Sequence, residues 1–302
     1  MIRNRPDLSA KIELSMKKKV LLLIAAGILL LIGFGFYSSK YFLMCSYYEI
    51  KDERIEKAFR IVLLSDLHNS RFGKHNERLV EKVLEQQPDL ILIAGDLINE
   101  SDQDLSIALK LIEDLSASKI PVYVSYGNHE ASYEKKYAVN IAGLYEKAGA
   151  KVLNFAYEEI EVNGQILRLG GIYGYCLAEK YESKATQAGE VDFLKDFQDT
   201  DLYTVLLCHM PVTWIINGSL NEWDCDLVLY GHAHGGQIRI PFVGGLYAPD
   251  QGYFCGKEEG FYYSDDASKI MLLTRGLGST EKIPRFNNIP EITVLDVKGK
   301  EG

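Results

Sequence analysis

Five short apolar runs in this chain each end in Asp, Asn or His, the side chains that hold a pair of hard divalent cations. In order they are Ile61 to Ser65 before Asp66 and His68, Leu90 to Ala94 before Gly95-Asp96, and Pro121 to Tyr126 before Gly127-Asn128-His129-Glu130. Thr204 to Cys208 before His209 and Leu227 to Tyr230 before Gly231-His232-Ala233-His234-Gly235-Gly236 complete the series. Asp66 and His68 are two apart, so at a strand end both side chains would leave on one face and grip one ion. Asp96 has two carboxylate oxygens and suits a ligand shared between cations roughly 3.5 to 4 Å apart. Asn128 and His209 would then serve the second ion, and His232 and His234 would divide between the two.

Singly, each of these residues has a plainer role: Asp closes turns and caps helices, and His209 could be a hydrogen-bonded core histidine. The inference rests on their conjunction after five runs of one kind. Each run has the length and the Val, Ile and Leu content of a strand buried on both faces. In open α/β sheets the pocket lies beyond the carboxyl ends of the strands, so five such ends can aim seven polar groups at one place. Between the runs, His75 to Gln87 and Leu105 to Ala117 carry helical spacing of Leu, Val and Ile, which gives the alternation of a layered α/β fold. Tyr157 to Tyr175 reads as a hairpin turning at Val162-Asn163-Gly164-Gln165, and Ile289 to Val294 as a closing strand.

The series Asp66-Leu67-His68, Gly95-Asp96, Gly127-Asn128-His129-Glu130, His209 and Gly231-His232-Ala233-His234 resembles the calcineurin-like metallophosphoesterase superfamily. The stretch Gly231 to Pro241 (GHAHGGQIRIP), with RGLGST from Arg275, IPRF and PEIT, is similar to the bacterial YkuE and YaeI group of membrane-associated metallophosphoesterases, over about Arg60 to Val297. The resemblance implies a four-layer α/β/β/α sandwich around a dinuclear centre, with manganese, iron or zinc, that hydrolyses phosphoester or pyrophosphate bonds. By the same resemblance Asp66, His68 and His234 bind one metal, Asn128, His209 and His232 the other, and Asp96 bridges them. His129 faces the substrate and is expected to be catalytic, with Asn128 and Asp96, but not a ligand.

Such a centre lowers the pKa of a shared water and neutralises the phosphoryl oxygens, while a cationic His129 would stabilise the transition state or protonate the departing oxygen. Two positions depart from the family pattern. Glu130 stands where many relatives have Asp, and Asn99 stands where phosphatase branches place an Asp that orients the acid histidine. Arg275 would either hold an anion bidentately or pin its loop. The glycine-rich loop Phe242 to Gly256 follows the histidine motif and is the first candidate for selectivity. The tyrosines and phenylalanines of the second half are expected mainly to pack.

The remaining sequence bears on location. Val20 to Tyr37 is an 18-residue stretch without charge, long enough to span a bilayer. Lys17, Lys18 and Lys19 precede it, which predicts a cytoplasmic N-terminus (1–19), an anchor (20–37), a linker (38–59) and an extracytoplasmic catalytic domain (60–298). A cleaved signal peptide is the rival, disfavoured because no small-residue cleavage site follows. The net charge of −9 and pI of about 5.3 argue against general nucleic-acid binding. Five cysteines without a paired motif imply no disulfide framework. The expected partners are a phosphorylated small-molecule or lipid-linked substrate and, through the helix, a membrane. The leading function is a membrane-anchored phosphohydrolase. A pyrophosphatase of the UDP-2,3-diacylglucosamine type is an alternative, as are a protein phosphatase, disfavoured by the outside location, and a catalytically silent, metal-stabilised binding domain.

Overall fold

The computed structural model describes residues 8–176, 189–254, 256–280 and 283–300. In chain order the strands are β1 (Met44–Lys51), β2 (Phe59–Leu64), β3 (Leu90–Ala94), β4 (Val122–Ser125), β5 (Lys151–Val152), β6 (Ala156–Val162), β7 (Gln165–Ile172), β8 (Tyr203–Cys208) and β9 (Leu227–Tyr230). The short β10 (Arg239–Ile240), β11 (Gly244–Gly245), β12 (Tyr247–Ala248) and β13 (Gly252–Tyr253) come next, then β14 (Gly260–Tyr263), β15 (Ile270–Leu273) and β16 (Glu291–Lys298). The helices are α1 (Leu8–Tyr41), α2 (Glu77–Leu84), α3 (Ser106–Ser116), α4 (Asn128–Tyr137), α5 (Ile141–Lys147), α6 (Glu190–Gln198), α7 (Val212–Ile216) and α8 (Ser219–Glu222). All five apolar runs are strands, within a residue or two of their expected limits.

Two six-stranded sheets form the body, ordered β1-β16-β2-β3-β4-β5 and β14-β15-β9-β8-β7-β6. Period-two alternation sorts each central strand into two layers. On β3, Leu90, Leu92 and Ala94 face the opposite sheet, where Val205, Leu207, Leu227 and Leu229 meet them. Ile91 and Ile93 face the other way, onto Leu79 and Val83 of α2 and Leu111, Ile112 and Leu115 of α3. Across the sandwich, Leu206 and Cys208 pack against Leu194 and Phe197 of α6 and Trp214 of α7. The result is the expected α/β/β/α sandwich, whose strands read as continuous apolar runs because neither face meets water. Asn163 and Gly164 turn the β6–β7 hairpin with φ of 50° and 82°, the two left-handed residues of a type I′ turn.

The N-terminal region differs from the sequence expectation in one respect. Residues 38–59, read as a linker, contain the last turn of α1 and the whole of β1, which pairs in parallel with β16 along eight residues. β1 alternates less cleanly than the central strands because it is a sheet edge, which hid it from an apolar-run search. Helix α1 contains a stretch from Ser15 to Tyr41 long and apolar enough to cross a membrane, with 6% of its most apolar window buried. Its end is docked on the domain. Gly35 lets the Phe286 ring approach so closely that a Cβ would lie 2.6 Å from it. The Asn288 N–H donates to Ser39 Oγ at 2.9 Å.

Candidate metal centre

Strands β2, β3 and β4 of one sheet and β8 and β9 of the other deliver their following loops to one end of the sandwich. The sequence expectation put Asp66 and His68 on one face through strand alternation. They lie beyond the end of β2, and a different device aims them: Asp66, His68, Asp96, His232 and His234 all have left-handed backbones, with φ between 46° and 66°. Non-glycine residues in this region cost of order 1–3 kcal/mol each and concentrate at functional sites. The loops also touch through bare backbone. At Gly95, with φ of 77°, a Cβ would fall 2.4 Å from the Gly127 nitrogen, and at Gly127 one would fall 2.1 Å from Asp96 Oδ1.

Three histidines share one arrangement. His209 Nδ1 lies 2.7 Å from the Ala94 carbonyl, His234 Nδ1 3.2 Å from the Gly278 carbonyl, and His68 Nδ1 3.0 Å from Asn99 Oδ1. Each Nδ1–H is thereby engaged, and each Nε2 is turned inward, as in metal-ligating histidines held by an outer hydrogen bond. His209 Nε2 is 3.1 Å and His68 Nε2 3.6 Å from Asp96 Oδ2, and His234 Nε2 is 3.7 Å from Asp66 Oδ1. Asp96 Oδ2 thus lies between two sets of donors. One set, Asp66, His68 and His234, and another, Asp96, His209 and His232, each bring their ligand atoms within 4.8 Å of one another.

Electrostatics alone does not satisfy this cluster. Burial pushes the His68 imidazole down to about 3 and, together with neighbouring His68, pushes His234 well below its ordinary value. Burial also works against charge on His209, yet Asp96 and Asp66 outweigh it and lift His209 to about 10. Burial raises the Asp66 carboxyl, whereas the His209 imidazole overcomes burial at Asp96 and holds that carboxyl well below the usual range. The buried His68 Nε2 and Asn128 Oδ1 have no hydrogen-bond partner among the described residues. An orphaned His68 Nε2 turned inward, the His68 and His234 imidazoles pushed down by burial, and two buried carboxylates suit a pair of divalent cations. The residues present fit the group.

His129 also approaches, with Nε2 3.9 Å from Asp96 Oδ2. Its role is set on the other side of the ring, where Nδ1 accepts a hydrogen bond from the Glu100 N–H at 3.0 Å. With Nδ1 accepting that bond, Nε2 faces the centre as a donor, and His68, Asp96 and His129 also bring their ligand atoms within 4.8 Å of one another. The Asn99 side chain holds His68, through Nδ1 and the His68 carbonyl.

Glu130, Asp250 and Arg275 complete the surroundings. Glu130 is fully buried and accepts four donors: Asp96 N–H and Gly127 N–H on Oε2, and Leu97 N–H and Tyr145 O–H on Oε1. Burial pushes its pKa up while the Gly127 and Asp96 N–H groups pull it back. Asp250, which sequence reasoning missed, reaches from the β12–β13 turn to within 3.1 Å of His232 Nε2. His232 Nδ1 is then left 3.2 Å from His209 Nε2, facing the second donor set. The only hint in sequence was the position of Asp250 within the glycine-rich loop after the histidine motif. Arg275 ion-pairs with Glu259 at 3.1 Å and Glu291 at 3.5 Å, so of its two expected roles it fills loop pinning. Cys45, Cys176, Cys208 and Cys225 are free, and Cys255 lies outside the described residues.

A buried cluster of Asp, His and Asn at the strand ends of a four-layer sandwich defines a metal-dependent phosphohydrolase centre. Residues 59–236, more than half of the chain, match the calcineurin-like phosphoesterase family, and the chain belongs to it. It is 28% identical over 246 residues to phosphodiesterase YaeI of Escherichia coli, covering 79% of this chain and 82% of that protein. It is also 28% identical over 276 residues to the uncharacterized metallophosphoesterase YkuE of Bacillus subtilis, covering 88% and 89%. Over 258 residues it is 28% identical to the uncharacterized metallophosphoesterase Cj0846 of Campylobacter jejuni, with 84% of this chain spanning 63% of that protein. TT1561 of Thermus thermophilus is similar in structure, with a TM-score of 0.44 and 13% identity over 73% of this chain and 90% of that one. The chain is a metal-dependent phosphoesterase.

Proposed function

We propose that this chain is a membrane-anchored phosphodiesterase. In this reading Asp66, His68 and His234 would hold one divalent cation and Asn128, His209 and His232 the other, with Asp96 available to both. The observation that carries it is the convergence of three Nε2 atoms, each fixed by an outer hydrogen bond on Nδ1, upon the Asp66 and Asp96 carboxylates. When bound, the cations would supply a water acidified toward neutral pH and neutralisation of phosphoryl charge. The protein supplies the rest. Asn99, Ala94, Gly278 and Asp250 fix the four imidazoles, and Glu130 ties the Asp96 loop to the Asn128 loop.

His129, with Nε2 turned inward, donates a hydrogen bond to a phosphoryl or departing oxygen and so stabilises the charge that develops there. Lys17, Lys18 and Lys19 ahead of the apolar stretch favour an extracytoplasmic domain. A phosphodiester is the favoured substrate class, supported by the relative named a phosphodiesterase. A pyrophosphate of a lipid-linked or nucleotide-sugar substrate is the second reading, supported by docking of the apolar helix beside the centre.

The test is metal analysis of the full chain with assays of bis-p-nitrophenyl phosphate, p-nitrophenyl phosphate and a nucleotide-sugar pyrophosphate, comparing wild type with Asp96→Asn. Two metals per chain and diester turnover that collapses in the variant support the proposal. Turnover of the pyrophosphate alone selects the second reading, and absence of bound metal refutes both.

A further inference from the structure

A cavity of about 530 Å³ lies where the end of α1 meets the loops of the metal centre. Phe36, Ser39 and Lys40 of the helix line one side, Asn69 and Arg71 the second, and Arg285 the third. Arg285 is 5% exposed. It donates through Nε to the Gly278 carbonyl at 2.5 Å and through Nη2 to the Arg275 carbonyl. Its Nη1 is buried with no hydrogen-bond partner, and no carboxylate pairs with it among the described residues. Asn69 Oδ1 is likewise buried and unpaired, while its Nδ2 donates to Asp102.

Asp66 and Glu291 act on this guanidinium from a distance, but its direct partners are two carbonyl oxygens, and a buried cation without a carboxylate in contact is costly to remove from water. Arg71 and Lys40 are exposed and add positive charge to the same cavity, in a chain whose net charge is −9. Guanidinium groups match the oxygens of a phosphate bidentately. The place also fits a particular source. Lys40 sits at the end of the apolar stretch Ser15–Tyr41, at the height where a headgroup region would begin. The cavity is distinct from the metal centre, but the Gly278 carbonyl is common to both, accepting from Arg285 on one side and His234 on the other.

We propose that this cavity is a second anion site, in which Arg285 Nη1, with Arg71 and Lys40, binds the phosphate of an anionic lipid headgroup or a free phosphate. It is independent of the proposed chemistry, since none of its three cations belongs to the catalytic set. The test uses the full chain in a neutral maltoside detergent, carrying Asp96→Asn so that turnover cannot consume the ligand. Thermal shift is followed against short-chain phosphatidylglycerol, short-chain phosphatidylcholine and inorganic phosphate.

The expected result is a concentration-dependent rise in Tm with phosphatidylglycerol and not with phosphatidylcholine, lost in Arg285→Met and reduced in the Lys40→Ala/Arg71→Ala double variant. An equal response to inorganic phosphate, with the same loss, identifies a free anion as the sufficient ligand and also supports the site. Should Arg285→Met fail to fold, the double variant decides alone, because both of its positions are exposed. No shift with either anion, or a shift unchanged in the foldable variants, overturns the proposal.

Discussion

Glu130 offers the sharpest test of how the centre is assembled, because it touches no inward-facing ligand atom yet joins the two loops that supply Asp96 and Asn128. Its carboxylate accepts four donors at 2.8 to 3.1 Å. In Glu130→Gln one oxygen becomes an NH₂. Placed at Oε2 it would oppose two backbone N–H groups, Asp96 and Gly127. Placed at Oε1 it opposes Leu97 N–H and the Tyr145 hydroxyl, which can rotate. The second orientation costs less, and it still orphans one buried N–H, at about 1–3 kcal/mol, and turns the two surviving charge-assisted bonds into neutral ones.

We expect a loss of about 3 kcal/mol for Glu130→Gln, hence a fall in Tm of roughly 6–12 °C for a domain of this size. Because the loops are held less firmly, metal affinity should fall by about 10- to 100-fold as well. Calorimetry of metal-free and metal-loaded protein, with metal titration, separates the two effects. A Glu130→Gln protein with wild-type Tm in the metal-free form and unchanged metal affinity would refute the tie.

Three further outcomes follow from the same geometry. Asp250→Asn should weaken metal binding by about 10- to 100-fold while leaving the metal-free Tm close to wild type, since Asp250 orients His232 from a surface turn; metal titration and thermal melts check both. His129→Phe should retain its metals and lose about 10²- to 10⁴-fold in kcat, and loss of metal instead would make His129 a ligand. In metal-free protein His209 has its pKa raised to about 10, with burial opposed by Asp96. Its stabilising charge is fully present below an unfolded value near 6.5 and is lost as pH rises toward 10. Melts of chelator-treated protein should therefore show a fall in Tm across that window that His209→Asn abolishes.

The strands that carry the ligands were legible because both their faces are buried, so Leu90 to Ala94 and Thr204 to Cys208 are uninterrupted apolar runs with polar residues at one end. The same physics concealed β1. Its burial is partial along an exposed edge, and Met44 to Lys51 mixes Cys, Ser, Glu and Lys with aromatics, so it read as linker. Its partner β16 lies at the far end of the chain, a pairing that no local pattern encodes. Helix limits were overestimated for a related reason: apolar spacing begins near His75, but His75 and Asn76 adopt left-handed backbones, and regular α-helix starts only at Glu77.

Within the centre, the identities of the ligand residues were legible and their backbone was not. Spacing of two suggested alternating strand geometry for Asp66 and His68, whereas both residues are left-handed, as are Asp96, His232 and His234. Asp and His tolerate that region better than most non-glycine residues, and still at a cost. The neighbouring glycines do not relieve it: Gly95 and Gly127 are needed where two loops meet backbone to backbone. What holds five strained residues in place is the set of polar supports around them, namely the Glu130 carboxylate, the Asn99 amide and the carbonyls of Ala94 and Gly278. Most of these are main-chain groups or come from elsewhere in the sequence, so they carry no motif of their own. That is why Asp250 and the partner of Asn99 emerged only in three dimensions, and why removing Glu130, rather than a ligand, is the most direct way to ask what the strain depends on.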